Sequence, residues 1–479
     1  MSATPDIVVL IPGITGSVLE RRGREVWGLS GRSVFEGLRT FGGSIRSLAL
    51  TGPDDPEADS LGDDVVATQL MPDLHLFPGL GWKIDGYGKI ASYLKRRSQL
   101  VEGENFFPFP YDWRRDNRVA ARRLQRESAV WLKRWRESAT EDAKLILVAH
   151  SMGGLVARYF VEVLQGWRDT RALITFGTPF YGSLNAVDFL SHGLRRGIGP
   201  FKVDLSPLLQ SFTSVHELVP VYRCVTLPDG TQVTPANAGM NGWKDEWSAT
   251  ATGFFDEIEK AASDNRADPK WGEAGLRFVP IVGTDQPTNQ SAQVDATGKV
   301  AVLRSLAGRD RGGDGTVPRV SAALAGTEDV RMFSPERHAS LQNLPAILGH
   351  VAGVMESFDE IRIGDLRGAL LSWFAFDCGE VYASEEHVTF EATVVTDLPE
   401  WQLPDVVATV VVTNKDTGEE RRREHVVQRE RTLIDVGPLP PGAYTVELLP
   451  PPASDSGSVR DVFVVVDVDD PGVDAALDS

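Results

Sequence analysis

The pentapeptide Ala149-His-Ser-Met-Gly153 carries the clearest chemical signal in the sequence. It directly follows the apolar run 144–148 and directly precedes a helical pattern that begins near Gly154. A sharp turn between a strand and a helix presents a serine hydroxyl and needs small neighbours, although Ala149 replaces the usual glycine here. We therefore predict that Ser151 is a nucleophile; the alternative is a serine that only caps the helix.

A serine hydroxyl is a weak nucleophile without a general base, so one of the eight histidines should supply it. Six of the eight are set aside because they precede the serine, adjoin it, or fall in predicted insertions or in the C-terminal β-rich part. His338 and His350 remain. His338 closes the loop 333–338 after a late predicted strand, where a doubly wound hydrolase presents its base. We favour His338, while His350, within or at the end of the following helix, is the alternative.

The orienting acid should lie on a turn between the nucleophile and the base. The segment 312–318 is Gly-Gly-Asp-Gly-Thr-Val-Pro, and its glycines allow a tight turn that delivers Asp314 to the imidazole. The chain order Ser151, Asp314, His338 is that of α/β-hydrolases. A solvated Asp-Gly turn is the alternative, with Asp310 or Asp285 as the acid.

An oxyanion that develops in acyl transfer needs preorganised N–H donors. The backbone N–H of Met152 is one candidate, because it follows the nucleophile at a helix N-terminus. The turn Pro12-Gly13-Ile14 after the first strand supplies the second, and we assign it to the N–H of Ile14. A plain glycine turn is the alternative.

Unbroken β-branched and apolar runs predict the strands that position these residues. Helical patterns between them, near 119–135 and 154–164, favour a doubly wound, mostly parallel α/β sheet. The predicted strands are 7–11, 144–148, 172–176, 277–282 and 330–333.

Two long insertions, near 20–80 and 183–275, interrupt this rhythm and are predicted to form a cap or lid. In the first, apolar residues recur at helical spacing after a possible capping box at Ser33 and Glu36. They form either a mobile amphipathic lid or ordinary core. The arginines of the helix near 119–135 lie either on an ordinary surface or on a cationic face for anionic lipid.

After about residue 380 the pattern changes to short alternating strands with turns between them. This texture predicts an all-β, immunoglobulin-like sandwich over 380–466, followed by an acidic tail over 467–479. The preceding residues, 1–379, form the hydrolase-type domain. We expect a chain cut at about residue 380 to keep measurable ester hydrolysis.

Composition limits the possible partners. Lys+Arg 49 against Asp+Glu 67 gives a formal charge of −18, which argues against nucleic acid as a partner. Cys224 and Cys378 cannot build a disulfide framework or a thiolate metal site, and the predicted chemistry requires neither a metal nor a cofactor. No signal-peptide pattern or run of about 20 apolar residues occurs, so a cytoplasmic location is expected.

Six segments, in order over roughly residues 5–355, resemble the lecithin:cholesterol acyltransferase and lysosomal phospholipase A2-like family of α/β-hydrolases. They are 9–17, 109–114, 149–154, 176–183, 313–318 and His338 with its following helix. The resemblance implies an acyl-enzyme on Ser151, completed by Asp314 and His338, and cap insertions that shape a lipid acyl pocket. It implies that 211–220 is a cap segment. The lid disulfide of the secreted animal members has no counterpart here, and the β-rich part lies outside the resemblance.

The sequence therefore predicts a serine esterase or O-acyltransferase that acts on lipid esters, of phospholipase or lipase type. The predicted partners are the acyl-ester substrate, a transient membrane-surface contact through the cap, and a protein partner of the β-sandwich. One alternative is a soluble carboxylesterase without lipid preference. The other is a degenerate hydrolase fold that serves as a binding or scaffold module.

Overall fold

The structure is a computed structural model of the 479-residue chain. It describes residues 4–28, 48–72, 75–76, 83–84, 86–193, 195–196, 203–204, 206–327, 330–356, 372–396, 406–428, 431–450 and 458–467. The amphipathic lid pattern predicted for the first insertion and all but the first residue of the predicted acidic tail lie outside these ranges.

A six-stranded parallel sheet forms the centre of the chain's first part. Its strands are, in spatial order, Met332–Ser334, Arg277–Gly283, Thr170–Phe176, Leu145–His150, Ile7–Ile11 and Phe106–Pro108. The first strand is wholly buried, as its unalternated β-branched sequence predicts for a strand covered on both faces. The five predicted strands are confirmed, and the sheet gains Phe106–Pro108.

Helices connect and flank these strands, so the first part is an α/β fold with a parallel sheet. The helices are Gly88–Arg97, Asn117–Ser138, Gly153–Glu162, Leu184–His192, Ser206–Leu209, Thr213–His216, Asp245–Ala267, Pro269–Ala274, Arg319–Ala322 and Pro345–Glu356, with 3₁₀ turns at Gly166–Arg168, Pro235–Asn237 and Leu341–Asn343. The helix Asn117–Ser138 begins where its N-cap Asp116 accepts a hydrogen bond from Arg118 N. It packs against Gly153–Glu162 beneath the sheet's central strands.

Four smaller sheets accompany the six-stranded sheet in the described residues of the first part. They comprise Ser17–Arg21 with Arg24–Trp27 and Val65–Leu70; His75–Leu76 with Lys83–Ile84; Arg195–Arg196 with Val203–Asp204; and Gln232–Val233 with Val225–Thr226, Ser291–Val294 and Val300–Leu303. The predicted second insertion also contributes its long helix, Asp245–Ala267, to the main core through Trp247, Phe254 and Ile258.

The arginines of the helix Asn117–Ser138 face acidic groups, which bears on the cationic-face alternative. Arg122 pairs with Glu57, and Arg126 pairs with Asp59 at 2.7 Å. Arg118 binds Glu257 at 2.9 Å. Their charge is locally balanced, which favours the ordinary surface helix.

Two further sheets form the C-terminal part. One contains Ser372–Cys378, Val388–Thr396 and Thr432–Gly437; the other contains Val381–Ala383, Val459–Val466, Gly442–Leu449, Val406–Asn414 and Glu420–Val427. Buried side chains from both sheets form one hydrophobic cluster, which includes Phe376, Phe390, Ile434 and Phe463. The strand Ser372–Cys378, which lies before the predicted boundary of 380, pairs with Val388–Thr396 along its whole length.

Within the described ranges, no helix combines the length and the apolar character needed to cross a membrane.

Candidate active site

Ser151 lies on a strained turn between the strand Leu145–His150 and the helix Gly153–Glu162. Its φ is +53°, a conformation that residues with a side chain adopt only at a cost. The neighbouring strand holds it there: Ser151 N donates to Phe176 O at 2.8 Å, and Thr178 Oγ1 donates to Ser151 O at 3.0 Å. This geometry places the hydroxyl at the carboxyl edge of the sheet, as the sequence predicts.

Glycines around this turn leave no space for side chains. A Cβ added to Gly153 would collide with the carbonyl oxygen of Pro12, and one added to Gly13 would lie 2.8 Å from the Ser151 Cβ. The turn after the first strand is therefore in direct contact with the turn that carries Ser151. Each of these two turns was predicted to supply one N–H donor to the same oxyanion.

The structure brings Ser151, His338 and Asp314 into one hydrogen-bonded row. His338 Nε2 lies 2.8 Å from Ser151 Oγ, and His338 Nδ1 lies 2.7 Å from Asp314 Oδ2. All three are buried, and Asp314 is only 1% exposed. A neutral imidazole with its proton on Nδ1 satisfies both contacts, which leaves Nε2 free to accept the serine proton.

The acid turn, residues 312–318, fixes the carboxylate of Asp314. Its Oδ1 accepts hydrogen bonds from Thr316 N at 2.9 Å and Val317 N at 2.7 Å, so only Oδ2 is directed at the histidine. The backbone is linked as well, since His338 N donates to Asp314 O at 2.8 Å. A Cβ at Gly177 would lie 2.5 Å from Asp314 Oδ2 and would force the pair apart.

The alternative acids and base lie elsewhere. Asp310 accepts hydrogen bonds from Gly312 N and from Gln290, and Asp285 lies on the turn after Arg277–Gly283. His350 lies inside the helix Pro345–Glu356, as one reading of the sequence placed it. Of the candidates, it is Asp314 and His338 that meet Ser151.

The two predicted oxyanion donors flank the serine. Met152 precedes the helix Gly153–Glu162, where the helix dipole and the free N–H groups favour negative charge. Ile14 lies in the oxyanion turn, which we define as residues 12–16, and this turn is closed by a hydrogen bond from Gly16 N to Gly13 O at 3.0 Å. Ile14 lines the same pocket as Ser151 and His338.

A pocket opens beside the serine, and most of its wall is apolar. Its lining comprises Ile14, His150, Ser151, Pro179, Ser183, Asn185, Ala186, Phe189, Val215, Leu218, Thr316, Val317 and His338. The predicted cap segment 211–220 supplies Val215 and Leu218. Such a surface suits the hydrocarbon part of an ester better than a charged group.

The segment 109–114 contains an internal Asp–Arg ion pair. Arg114 is fully buried and binds both carboxylate oxygens of Asp112, at 2.8 and 2.6 Å, and also Asp63 at 2.9 Å. Trp113 Nε1 donates to Ser17 O at 3.1 Å, directly after the oxyanion turn. The segment thus joins the oxyanion turn to the first insertion.

Sequence reasoning missed three residues that support the site. Tyr87 and His150 form a buried hydrogen-bond chain between the oxyanion turn and the loop of His338. Gln286 N donates to Gly313 O at 3.0 Å, and its side chain donates to Pro335 O and to Phe374 O in the β-rich part. No local pattern marks these residues, because their partners are all distant along the chain.

A parallel sheet flanked by helices, with a serine on a strained turn after a central strand, fits the α/β-hydrolase class. The sequence model of the lecithin:cholesterol acyltransferase family matches residues 83–255. Human "Lysosomal phospholipase A and acyltransferase" is 32% identical over 114 residues, which cover 22% of this chain and 26% of that relative. The resemblance predicted from the motifs is thereby confirmed, with the family-model match lying within residues 83–255.

The matched region spans about a quarter of the length of the human relative. Among solved structures, the mature lipase BlEst2 of Bacillus licheniformis aligns with 74% of this chain and 92% of its own, at 13% identity and a TM-score of 0.33. Phospholipase PlaB of Legionella pneumophila aligns with 96% of this chain and 90% of its own, at 8% identity and a TM-score of 0.25.

Proposed function

We propose that this protein is a serine hydrolase or O-acyltransferase that acts on lipid esters through an acyl-enzyme on Ser151. The observation that carries the proposal is the continuous hydrogen-bonded row from Asp314 through His338 to the Ser151 hydroxyl, beside an apolar pocket. The matches support the substrate class, since the names of the matched family and of the human relative both include a lipid or phospholipase term and 'acyltransferase'.

The proposed reaction begins when Ser151 Oγ attacks the ester carbonyl and passes its proton to His338 Nε2. Asp314 stabilises the resulting imidazolium, and the N–H groups of Met152 and Ile14 bind the oxyanion. Collapse of the tetrahedral intermediate breaks the ester C–O bond, and His338 protonates the departing alkoxide. Water or an alcohol, deprotonated by His338, then attacks the acyl-enzyme and releases the acid or the new ester.

The substrate preference follows from the pocket wall. Each CH₂ group buried against it contributes about 0.8 kcal/mol, so a long acyl chain gains more than acetate does. A soluble carboxylesterase without lipid preference is the second candidate, because Ser183, Asn185 and Thr316 give the pocket a polar side as well.

Other parts of the proposal concern location and partners. A transient membrane-surface contact through the cap would deliver the lipid, and the cytoplasmic location stays a prediction. We further propose that the β-rich part is an immunoglobulin-like sandwich, because its two sheets share one core. A protein partner of that sandwich stays a prediction.

A fluorophosphonate probe tests the nucleophile. We expect the full chain to be labelled once, on Ser151, and the Ser151→Ala variant to stay unlabelled. Ser214→Ala is the matched control, because Ser214 is also fully buried but bonds to the Trp113 carbonyl, away from the row. An intact chain that resists the probe would support the scaffold alternative.

Ester series in two physical states test the lipid preference. We expect kcat/KM to rise with acyl length and to be higher for micellar or vesicle-borne esters than for monomeric ones. Intact-protein mass spectrometry after incubation with mixed lipids should show the mass of the trapped acyl group. A flat chain-length profile in free solution would favour the carboxylesterase.

A further inference from the structure

Tyr87 and His150 are buried polar residues that the proposed reaction does not use. Tyr87 precedes the helix Gly88–Arg97 and is 1% exposed; His150 ends the strand that leads into Ser151 and is 2% exposed. A polar side chain so deeply buried is retained only where its hydrogen bonds are satisfied. Both are satisfied by groups of the candidate active site.

The two residues form one continuous chain of hydrogen bonds. Gly13 N donates to Tyr87 Oη at 2.8 Å, and Tyr87 Oη lies 2.9 Å from His150 Nδ1. At the other end, His150 Nε2 lies 2.9 Å from the carbonyl oxygen of His338. The chain therefore runs from the oxyanion turn, behind the nucleophile, to the backbone of the catalytic-base candidate.

Only one arrangement of protons satisfies every contact. The His338 carbonyl can only accept, so His150 must carry its proton on Nε2. Its Nδ1 then accepts from the Tyr87 hydroxyl, whose oxygen accepts from the amide of Gly13. Burial lowers the pKa of His150 to about 3, so the imidazole stays neutral and keeps this arrangement.

Tyr87 is itself rigidly held against the oxyanion turn. Tyr87 N donates to Met71 O at 2.9 Å, and a Cβ added to Gly16 would lie 2.8 Å from Tyr87 Oη. The ring therefore packs directly on this turn. The hydroxyl lies at a fixed place, so the Gly13 amide that it binds is fixed too.

We propose that Tyr87 and His150 are positioning residues that hold the oxyanion turn and the His338 loop at a set separation across Ser151. Preorganised donors contribute to catalysis only when they point to where the oxyanion will form. The peptide of Gly13 is adjacent to the Ile14 amide, so a shift of Gly13 turns the Ile14 N–H away. The inference rests on the proposed function and assigns a role to two residues that the proposed reaction does not use.

Tyr87→Phe in the full-length chain tests this role, because it removes one oxygen and keeps the ring. We expect kcat, normalised to fluorophosphonate-labelled sites, to fall at least about tenfold, toward the ~100-fold typical of a lost oxyanion donor. The KM should stay within about twofold, because the pocket wall is untouched. The affinity for a trifluoromethyl ketone, which forms a tetrahedral adduct, should fall by the same factor as kcat/KM.

The matched control is Tyr159→Phe, which removes a hydroxyl bonded to Glu257 at 2.7 Å, away from the row. It should lower stability without changing kcat or ketone affinity. His150→Phe should behave as Tyr87→Phe does, and His150→Gln, which keeps a donor for the His338 carbonyl, should recover part of the loss.

The two possible failures are distinguishable. If the intact chain is not labelled on Ser151, the proposed function fails. If it is labelled and Tyr87→Phe keeps kcat and ketone affinity within twofold of the parent, the positioning role is wrong. A fall in kcat without a matching fall in ketone affinity would also overturn it.

Discussion

The two carboxylate oxygens of Asp314 have different hydrogen-bond partners. Two backbone amides occupy Oδ1, so Oδ2 alone meets His338 Nδ1. The loop amides fix the side chain's rotation and thereby the tautomer of the imidazole. The sequence could place this aspartate between two glycines, but the division between its oxygens depends on the folded turn.

Asp314→Asn should lower kcat by about 10³–10⁴-fold with little change in KM. The amides of Thr316 and Val317 will keep the carbamoyl oxygen, so the NH₂ group will face His338 Nδ1. That contact forces the proton onto Nε2, and the imidazole can no longer accept from Ser151. Asp310→Asn is the control, and steady-state kinetics with a soluble ester measures both; equal losses in the two variants would contradict the assignment.

Glu336 is a carboxyl group buried within the loop 333–338, which ends at His338. Its Oε1 accepts from Arg337 N at 2.9 Å and Arg460 N at 3.2 Å. Burial raises its pKa to about 7 from an ordinary 4.5, with a further increase from Glu447 and opposition from Arg460. The folded chain therefore binds a proton here that the unfolded chain releases between these two pH values.

Glu336→Gln should become more stable relative to the parent as pH rises. A raised folded-state pKa means that the parent's stability from this group is full below pH ~4.5 and is lost by pH ~7, a change of roughly 2–4 kcal/mol. Glutamine is neutral throughout and keeps an accepting oxygen. Urea unfolding at pH 5 and pH 8 measures the difference, with exposed Glu385→Gln as control; a pH-independent difference would refute the pKa assignment.

At the scale of elements, the short helix Thr213–His216 and the residues after it form one wall of the pocket. Glu217, which is fully buried, accepts from Asn117 N at 2.9 Å and from Asn117 Nδ2 at 2.8 Å. It also lies 3.3 Å from Arg118. The wall is thus fastened to the start of the helix Asn117–Ser138, which keeps Leu218 at the pocket.

Leu218→Trp should shorten the preferred acyl chain. The indole adds volume to the wall, so long chains lose room while an acetyl group does not. We expect kcat/KM to fall at least about tenfold for the longest ester accepted by the parent and less than threefold for acetate, given ~0.8 kcal/mol per buried CH₂. Val233→Trp, on a cap strand outside the pocket lining, is the control; an unchanged chain-length profile would place the acyl group elsewhere.

Sequence patterns predict those strands whose residues are apolar along the whole strand. Runs such as 7–11 and 172–176 are apolar throughout and become central parallel strands. Phe106–Pro108 was missed because three residues carry no periodicity. Glu420–Val427 was missed because it is a charged edge strand, whose pairing with Val406–Asn414 follows from the hairpin rather than from its own composition.

The residues of the candidate site also fall into those that the sequence predicted and those that it did not. Ser151 and Asp314 were predicted because each lies on a turn with small or glycine neighbours, and His338 was predicted by elimination among the histidines. Tyr87 and His150 were not, since their role exists only when the oxyanion turn and the His338 loop come together. Long-range contacts of this kind leave no spacing in the sequence.

At the scale of the whole molecule, the β-rich part is fastened to both loops that carry the acid and the base. Gln286 bonds to Gly313 O and, through its side chain, to Pro335 O and the strand Ser372–Cys378. Phe376 N returns a hydrogen bond to Gln286 at 3.2 Å. These contacts argue against the expectation that a chain cut at about residue 380 keeps measurable ester hydrolysis, which stays a prediction.

Arg337, the residue before His338, makes charged contacts across this interface. Its guanidinium donates to Phe376 O and lies 3.1 Å from Asp461, which is 1% exposed, and 3.7 Å from Asp377. A chain shortened to residues 1–371 removes all three partners. We expect such a chain to be insoluble or to lose at least about 100-fold in kcat/KM, because an unpaired charge would lie beside the catalytic base.

Asp461→Asn tests the same link without cutting the chain. Removing the buried charge of Asp461 leaves Arg337 with its longer ion-pair contact to Asp377, at 3.7 Å. The free energy of unfolding should therefore fall by up to about 3 kcal/mol, and kcat should fall while KM stays constant. Glu420→Gln, which breaks an exposed pair with Arg422, should cost less than about 1 kcal/mol and leave kcat unchanged. If Asp461→Asn lowers stability but its labelled fraction turns over at the parent's rate, the β-rich part stabilises the fold without positioning His338.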